Sequence, residues 1–452
     1  MNPKRNQVVE VRIEGLGSNG RGLARAEGLT FSVADALPGD RVQARVGRVR
    51  EGIVEARMTA MLEPGLRRIP AVCAHFGTCG GCLWQEVSYE DQVHLKAGMV
   101  RDALGRLGIE FPFEDATAAA EPFFYRNKME FSFGQQGGEV VLGLHVRGKF
   151  DQVFDLQRCH LQSEASNRIV DAVRAFARSA GLRVYDLMSH RGLLRFVTVR
   201  EGKGTGEMMV NLVTSEDPFP EREAMAQAVL KAAPEVVTFV HTINRRKAQV
   251  ATGEETTVLH GEGFIRERLE EFTFRISPAS FFQTNPRQAE RLYDLVAEYA
   301  DLLPGERALD LYCGTGAIAM FLARRTGSVL GVESSGEAVR DALRNCAENR
   351  VEGCRFVAGD AALILKQLRK QGERFDVAAV DPPRAGMHSS ALQGLIELAP
   401  PRIVYVSCNP EALATDVSRL TAAGYRAERA RLVDLFPQTA HCEVVVKLVK
   451  RG

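Results

Sequence analysis

Three groups of side chains in this 452-residue chain are of types and spacings that do chemistry. The first pairs a thiol with a carboxylate. Cys408 stands in Ser407-Cys408-Asn409-Pro410, at the carboxyl end of an apolar stretch (residues 402 to 406) that reads as a buried strand. It lies just ahead of a helix, whose N-terminal dipole is expected to lower the thiol pKa. A single Cys at a strand end is more often a small buried hydrophobe, but the Ser-Cys-Asn-Pro context and the place on the sheet favour a nucleophile. Glu443, in His441-Cys442-Glu443 ahead of an apolar run, opens a strand near the chain end and could face the same mouth as a base, or sit solvated at a strand edge. A thiolate and a base together are the equipment of covalent catalysis followed by proton removal.

The second group follows strand after strand. In the turn Asp310-Leu-Tyr-Cys-Gly-Thr-Gly316, Gly314 and Gly316 allow backbone to approach a ligand at the start of a helix. Glu333 ends the next strand, where a carboxylate can accept both ribose hydroxyls of a nucleoside cofactor. Asp360 and Asp381 end the third and fourth strands. Taken alone, a G-x-G is a tight turn. A dinucleotide site wants a third small residue, and here Ala317, Ile318 and Ala319 follow, leaving only the alanine variant of that pattern. The order D-x-Y-C-G-T-G, acidic strand end, then D-P-P-R resembles class I S-adenosylmethionine methyltransferases.

The third group is Cys73, Cys79 and Cys82, three thiols in a loop-like stretch with flanking glycines. They can surround one metal centre, and spacing alone leaves zinc and an iron–sulfur cluster equally open.

The elements that must position these groups fall into three parts. Residues 8 to 60 read as short alternating strands broken by Gly-rich turns and Leu37-Pro38-Gly39-Asp40, a small β-barrel with Arg41, Arg45, Arg48, Arg50 and Arg57 close together. After the cysteine stretch and an amphipathic helix over about 89 to 108 comes β-rich sequence to about 270. From about 285, strands alternate with helices, which predicts a doubly wound parallel sheet. The expected domains are therefore 1–62, 63–270 and 271–452. No apolar run approaches the roughly 18 residues of a membrane span, and the basic N-terminus lacks the apolar core of a signal. With nine sparse cysteines the expected setting is the cytoplasm. A net charge of +1 excludes any global electrostatic case for nucleic-acid binding, so RNA contact must come from local basic surfaces.

Taken together the motifs resemble the RNA uracil-C5-methyltransferase family, in its iron–sulfur branch, over nearly the whole chain. Residues 8 to 60, with G-x-G-S-N-G-R-G and LPGD, resemble a TRAM RNA-binding barrel. Cys73-x5-Cys79-Gly-Gly-Cys82-x2-Gln85 with distant Cys159 look like the ligands of a [4Fe–4S] cluster. Tyr125-Arg126-Asn127-Lys128, Ser280-Phe-Phe-Gln283-Thr-Asn285, DLYCGTG, DPPRAG, SCNP and F-P-Q-T-x-H-x-E complete the family order. The resemblance implies a class I methyltransferase domain behind a TRAM barrel and a central α+β iron–sulfur domain, with the helix near 89 to 108 packing on the catalytic domain. It assigns Gln283, Tyr312, Glu333, Asp360 and Asp381 to the cofactor S-adenosylmethionine, Cys408 as the nucleophile and Glu443 as the base. Uracil C5 is too weak a nucleophile to take a methyl group until a thiolate has added at C6, which explains the thiol. One departure is Ala317, standing where some members carry a polar residue. The expected partner is RNA, with 23S ribosomal RNA favoured over transfer RNA, and the expected protein is a monomer. A flipped base would stack on Phe281, Phe282, Phe436 or Tyr405. Amino-methylating enzymes are a poor fit because Arg384 replaces the aromatic of their motif, and cytosine-C5 enzymes carry their cysteines in other contexts. The remaining alternative is a non-catalytic RNA-binding protein on a retired fold.

Overall fold

The computed structural model describes residues 3–451. Near its N-terminus, period-two alternation in Val8–Arg12, Leu29–Ala34, Arg41–Arg50 and Ile53–Glu63 sends Val11, Phe31, Val33, Val42, Ala44, Val46, Val54 and Ala56 to one face. Six strands curl around that core, the two long ones forming an antiparallel pair and Leu29–Ala34 pairing in parallel with Ile53–Glu63. Asp40 of the LPGD turn is fully buried. It accepts the Leu37 and Gly65 N–H groups at 2.8 and 2.7 Å and pairs with Arg68 at 2.5 Å, which fastens the barrel to the chain leaving it. Of the five expected basic residues, Arg41 is paired with Glu10 and Glu63 and Arg57 with Asp35, whereas Arg45, Arg48 and Arg50 are exposed.

A second six-stranded sheet runs in the spatial order Glu255–His260, Val236–Ile243, Met208–Thr214, Leu194–Glu201, Lys128–Gln136, Glu139–Gly143. Leu194–Glu201 and Met208–Thr214 are almost wholly buried, as expected of central strands. Helices Glu164–Ser179 and Arg222–Ala232 share its core.

The third sheet has seven strands, in the order Cys354–Ala358, Val329–Glu333, Ala308–Leu311, Val377–Val380, Arg402–Ser407, Val444–Lys450, Tyr425–Leu432. The first five are parallel; Val444–Lys450 enters antiparallel between its neighbours. Runs such as Val-Ala-Ala-Val and Arg-Ile-Val-Tyr-Val-Ser lack alternation because helices cover both faces. Pro286–Ala300 and Ala317–Thr326 pack on one face, and Ala361–Lys370, Ser389–Leu398 and Pro410–Ala422 on the other.

Helix Tyr89–Gly105 joins that second face. Ser88 caps it by accepting the Asp91 N–H at 3.1 Å, and Val93, Ala97, Val100 and Leu104 enter the core beside Leu413, Val417 and Leu420. By packing, this early helix belongs with the C-terminal sheet. Its inner face also carries Lys96, whose ammonium is completely buried and lies 2.6 Å from an equally buried Asp434 carboxylate. Further hydrogen bonds support the pair: Lys96 donates to the Phe436 carbonyl at 2.9 Å, and Asp434 accepts from Tyr89 Oη and the Phe436 N–H. Removing one partner of such a pair strands the other charge away from water. Lys96→Met is therefore expected to cost about 3–5 kcal/mol, read as an earlier urea unfolding transition; a change below about 1 kcal/mol would show the pair to be dispensable.

Candidate active site

Strand register assembles the site. Leu311 pairs with both Val332 and Val380, so Tyr312, Glu333 and Asp381 emerge side by side at the carboxyl ends of three parallel strands. Ser407 pairs with Val444 in the antiparallel ladder. Cys408 follows the one and Glu443 precedes the other, which makes residues 35 positions apart in sequence adjacent across the sheet edge. All five line one cavity of about 670 Å³, together with Gln283, Gly314, Phe281, Arg384 and Phe436.

The glycines are required by the backbone. Gly314 and Gly316 have φ of +51° and +85°, and a Cβ on Gly316 would meet Ala342 and Phe356 at 3.0 Å. The Gly314 N–H donates to Glu333 at 3.2 Å, and the other Glu333 oxygen accepts the Ser335 N–H at 2.8 Å. The carboxylate is thereby aimed along the cavity wall, where ribose hydroxyls of a nucleoside would meet it. Asp360 stands beside this wall, close enough for its charge to act on Tyr312. It lies two residues beyond Ala358, the partner of Glu333, and its exposed carboxylate caps helix Ala361–Lys370 through the Leu363 N–H.

The thiol differs from its expected state. Burial, then the charges of Glu443 and Asp381, push Cys408 up to about 11, and the opposing Arg384 guanidinium only partly offsets them. The helix that begins at Pro410 does not lower it as the sequence suggested, because desolvation and two carboxylates outweigh a partial charge at a helix end. Glu443 is 3% exposed; burial, reinforced by Asp381, holds its carboxyl well above the usual range, and burial raises Asp381 to about 6.

Two loops carry these residues into place. Segment 434–443 is fixed at Asp434 by Lys96 and at Gln438 by Gln92, and the Gln438 carbonyl accepts the N–H groups of Leu83 and Trp84. From the barrel, Gly20 presses so closely on this segment that a Cβ there would lie 2.4 Å from Ala440. Segment 277–285 carries Gln283 and leads into helix Pro286–Ala300, which Asn285 caps.

The four cysteines also come together. Cys73, Cys79, Cys82 and Cys159 line a separate cavity of about 480 Å³ with Gln85, Arg126, Lys128 and Thr284. Gln85 accepts the Cys73 N–H at 3.0 Å, and the Gly81 N–H donates to Cys79 Sγ at 3.3 Å. Burial raises the Cys79 and Cys159 thiols and takes Cys82 to about 12. Among the described residues no three His, Cys, Asp or Glu side chains close around a single ion position.

Of the four aromatics considered for base stacking, Phe281 and Phe436 line the active-site cavity, Phe281 being 75% exposed at its rim. Phe282 lines it too but is 7% exposed and packs into the core. Tyr405 is fully buried and donates to Asp416 at 2.5 Å, so it faces away from the site. Sequence reading passed over Lys96 with Asp434, and it took Asp310 only as part of the glycine turn. Asp310 is wholly buried behind the cavity, its carboxyl raised by burial and by Asp381. The acidic residue opening the turn was the available signal for Asp310; nothing local marks Lys96.

A parallel sheet continued by an antiparallel strand, with a glycine turn and an acidic residue at successive strand ends, defines a class I methyltransferase domain behind an RNA-binding barrel. Residues 121–451 match the tRNA (Uracil-5-)-methyltransferase family and residues 4–59 match the TRAM domain. The chain belongs to that methyltransferase family, whose members are S-adenosylmethionine-dependent RNA uracil-5-methyltransferases. Uncharacterized RNA methyltransferases of Halalkalibacterium halodurans and Chlorobaculum tepidum are 38% and 40% identical, over 98% and 93% of this chain and 97% and 91% of their own. The crystal structure of Pyrococcus abyssi tRNA (uracil-54, C5)-methyltransferase in complex with S-adenosyl-L-homocysteine is 30% identical, covers 98% of this chain and 100% of its own, and superposes with a TM-score of 0.76. No described helix is long and apolar enough to cross a membrane.

The electrostatics of the site are open to measurement. In the protein without cofactor, alkylation of Cys408 by iodoacetamide, followed by peptide mass spectrometry, should keep rising through pH 9 toward about 11. Glu443→Gln should move the midpoint down by removing a negative neighbour. A plateau near pH 8 in the unaltered protein would contradict the burial assignment.

Proposed function

We propose that this enzyme methylates C5 of a uridine in RNA through a covalent adduct on Cys408, with Glu443 as the base. The observation that carries the reading is the convergence of Cys408, Glu443, Asp381, Glu333, Tyr312 and the glycine turn on one cavity. Cys408 loses its proton to solvent and the thiolate Sγ bonds to C6 of the flipped uracil, the C5=C6 π pair moving onto C5 and O4 as an enolate. S-adenosylmethionine, held along Gln283, Tyr312, Gly314, Gly316, Glu333, Asp360 and Asp381, would supply the methyl group that C5 takes and leave as S-adenosylhomocysteine. Glu443 then accepts the C5 proton, and the C6–Sγ bond breaks to return the thiolate. The raised affinity of Glu443 for a proton makes it a stronger base than an ordinary carboxylate. Arg384, 3.3 Å from His441 and opposing the carboxylates at Cys408, steadies the thiolate. Phe281 at the rim offers the flipped base a stacking face.

The same reading treats 1–62 as an RNA-holding barrel, 63–270 as the cysteine-bearing part and 271–452 as the catalytic part, with helix Tyr89–Gly105 assigned by packing to the last. The exposed Arg45, Arg48 and Arg50 supply the local positive surface that the overall charge does not. We favour 23S ribosomal RNA, since the barrel and the four-cysteine set together resemble ribosomal members. Transfer RNA is the second reading, supported by the substrate of the Pyrococcus relative.

The donor set fits an iron–sulfur cluster. Four thiols face one cavity with space for a polynuclear centre, and Arg126 Nε and Thr284 Oγ1, buried in its wall, lack a protein partner. Cys73, Cys79, Cys82 and Cys159 would hold it, and its role would be structural. Anaerobically purified protein should contain about four iron and four sulfide per chain; one zinc and no sulfide would replace the cluster with a zinc site.

The test of function compares nucleosides from 23S ribosomal RNA and transfer RNA of a deletion strain with its parent by mass spectrometry. Loss of 5-methyluridine from one pool names the substrate, and no change in either would refute the reading. In vitro, Cys408→Ala should abolish turnover, and Glu443→Gln should accumulate an RNA adduct that survives denaturing electrophoresis.

A further inference from the structure

Between the two cavities runs the segment Phe124–Lys128, which leads into strand Lys128–Gln136 and bonds to both sides. On one side, the Phe124 N–H donates to the His160 carbonyl and the Arg126 N–H to the Leu161 carbonyl, each at 2.8 Å, tying the segment to the residues directly after Cys159. Arg126 and Lys128 line the cysteine cavity. On the other side, the Asn127 N–H donates to the Thr284 carbonyl and Asn127 Nδ2 to the Gln283 carbonyl, both at 2.9 Å. Tyr125 Oη donates to the Pro437 carbonyl at 3.0 Å, within the segment that leads to Glu443. Thr284 faces the cysteine cavity while Gln283, one residue away, faces the methyl-transfer cavity.

A second grip comes from the same sheet. Arg200, 4% exposed and register partner of Lys128, donates to the carbonyls of Pro278 and Ser280 at 3.2 and 2.5 Å. A buried guanidinium directed at loop carbonyls holds backbone that has no ladder of its own. Segment 277–285 is thus fastened along its length by residues outside the catalytic sheet.

We propose that Phe124–Lys128 mechanically links the cysteine cavity to the cofactor loop, and that Asn127 and Arg200 are positioning residues for the cofactor. The proposal rests on the functional reading above, in which Gln283 borders the S-adenosylmethionine site and the four thiols hold a metal centre. Filling the cysteine cavity fixes Cys159 and the residues directly after it; their carbonyls fix residues 124 and 126; Asn127 then fixes Gln283. Neither positioning residue touches reacting atoms.

The test measures the dissociation constant of S-adenosylhomocysteine by calorimetry on metal-loaded protein, alongside thermal unfolding. Asn127→Ala and Arg200→Lys should each weaken binding about tenfold, the effect of one hydrogen bond. The KM for the methyl donor should rise in step while kcat at saturation changes less than twofold. Cys159→Ser, or chelation of the unaltered protein, should weaken binding similarly, and should add less than twofold in the Asn127→Ala background because both act through one path. Binding within twofold of the unaltered protein in both single variants would overturn the proposal, as would independent, multiplying effects of chelation and Asn127→Ala. If Cys159→Ser does not fold, the chelation arm decides. Failure of the unaltered protein to bind S-adenosylhomocysteine would count against the functional reading instead.

Discussion

The buried ion pair between Lys96 and Asp434 is the constraint from which the active-site edge follows. Asp434 begins the segment that ends in Glu443, and the carboxylate that anchors it has no access to water. Charges so placed persist only with hydrogen-bonding support, to which Tyr89, the Phe436 carbonyl and the Phe436 N–H contribute. The pair therefore fixes a helix from the first quarter of the chain against a loop from its last few per cent. Around this anchor the Gln92–Gln438 contacts, the Leu83 and Trp84 amides and the barrel turn at Gly20 close on the same loop. Three parts of the chain converge on the loop that delivers Glu443 to the cavity.

That delivery places Glu443 in surroundings hostile to its charge. Burial and a second carboxyl at Asp381 raise its proton affinity, and the same two carboxyls hold the neighbouring thiol in its protonated form. By linkage, a carboxyl whose folded-state pKa is raised favours the folded protein below its unfolded pKa and loses that contribution as pH rises through the folded value. The site thus works against stability at neutral pH, and the cores on both faces of the sheet offset it. A bound sulfonium would bring positive charge to a cavity whose ionisable lining is mainly acidic, so cofactor and thiolate formation are expected to favour each other.

The second loop of the site, 277–285, is governed from a different direction. Its carbonyls are held by Arg200 and Asn127 of the central sheet, and its last residues are shared between the two cavities. The catalytic sheet supplies the strand ends, while the central domain and the barrel supply the grip on the loops. This division accounts for the intimate packing of a methyltransferase domain with modules that hold no reacting atom.

Sequence by itself determined the parallel α/β domain, the barrel, the glycine turn, the strand end that carries Cys408 and the cysteine set. These are signals of local period and local backbone: an unalternating apolar run, glycines at positive φ, a polar residue where a strand stops. It also put Glu333 and Asp381 at strand ends, and the register then brought them onto one wall. Only the tertiary structure decided the rest. Asp360 ends a strand as Glu333 does, yet a step of two residues turns it into a helix cap. Tyr405 sits in the right strand but on its buried side. Lys96 and Asp434 are 338 positions apart, and no local pattern pairs them. Cys408 has the helix that should acidify it, and desolvation wins. Burial, register across an antiparallel insertion and long-range charge are sums over neighbours distant in sequence, and they take their values only once the chain has folded.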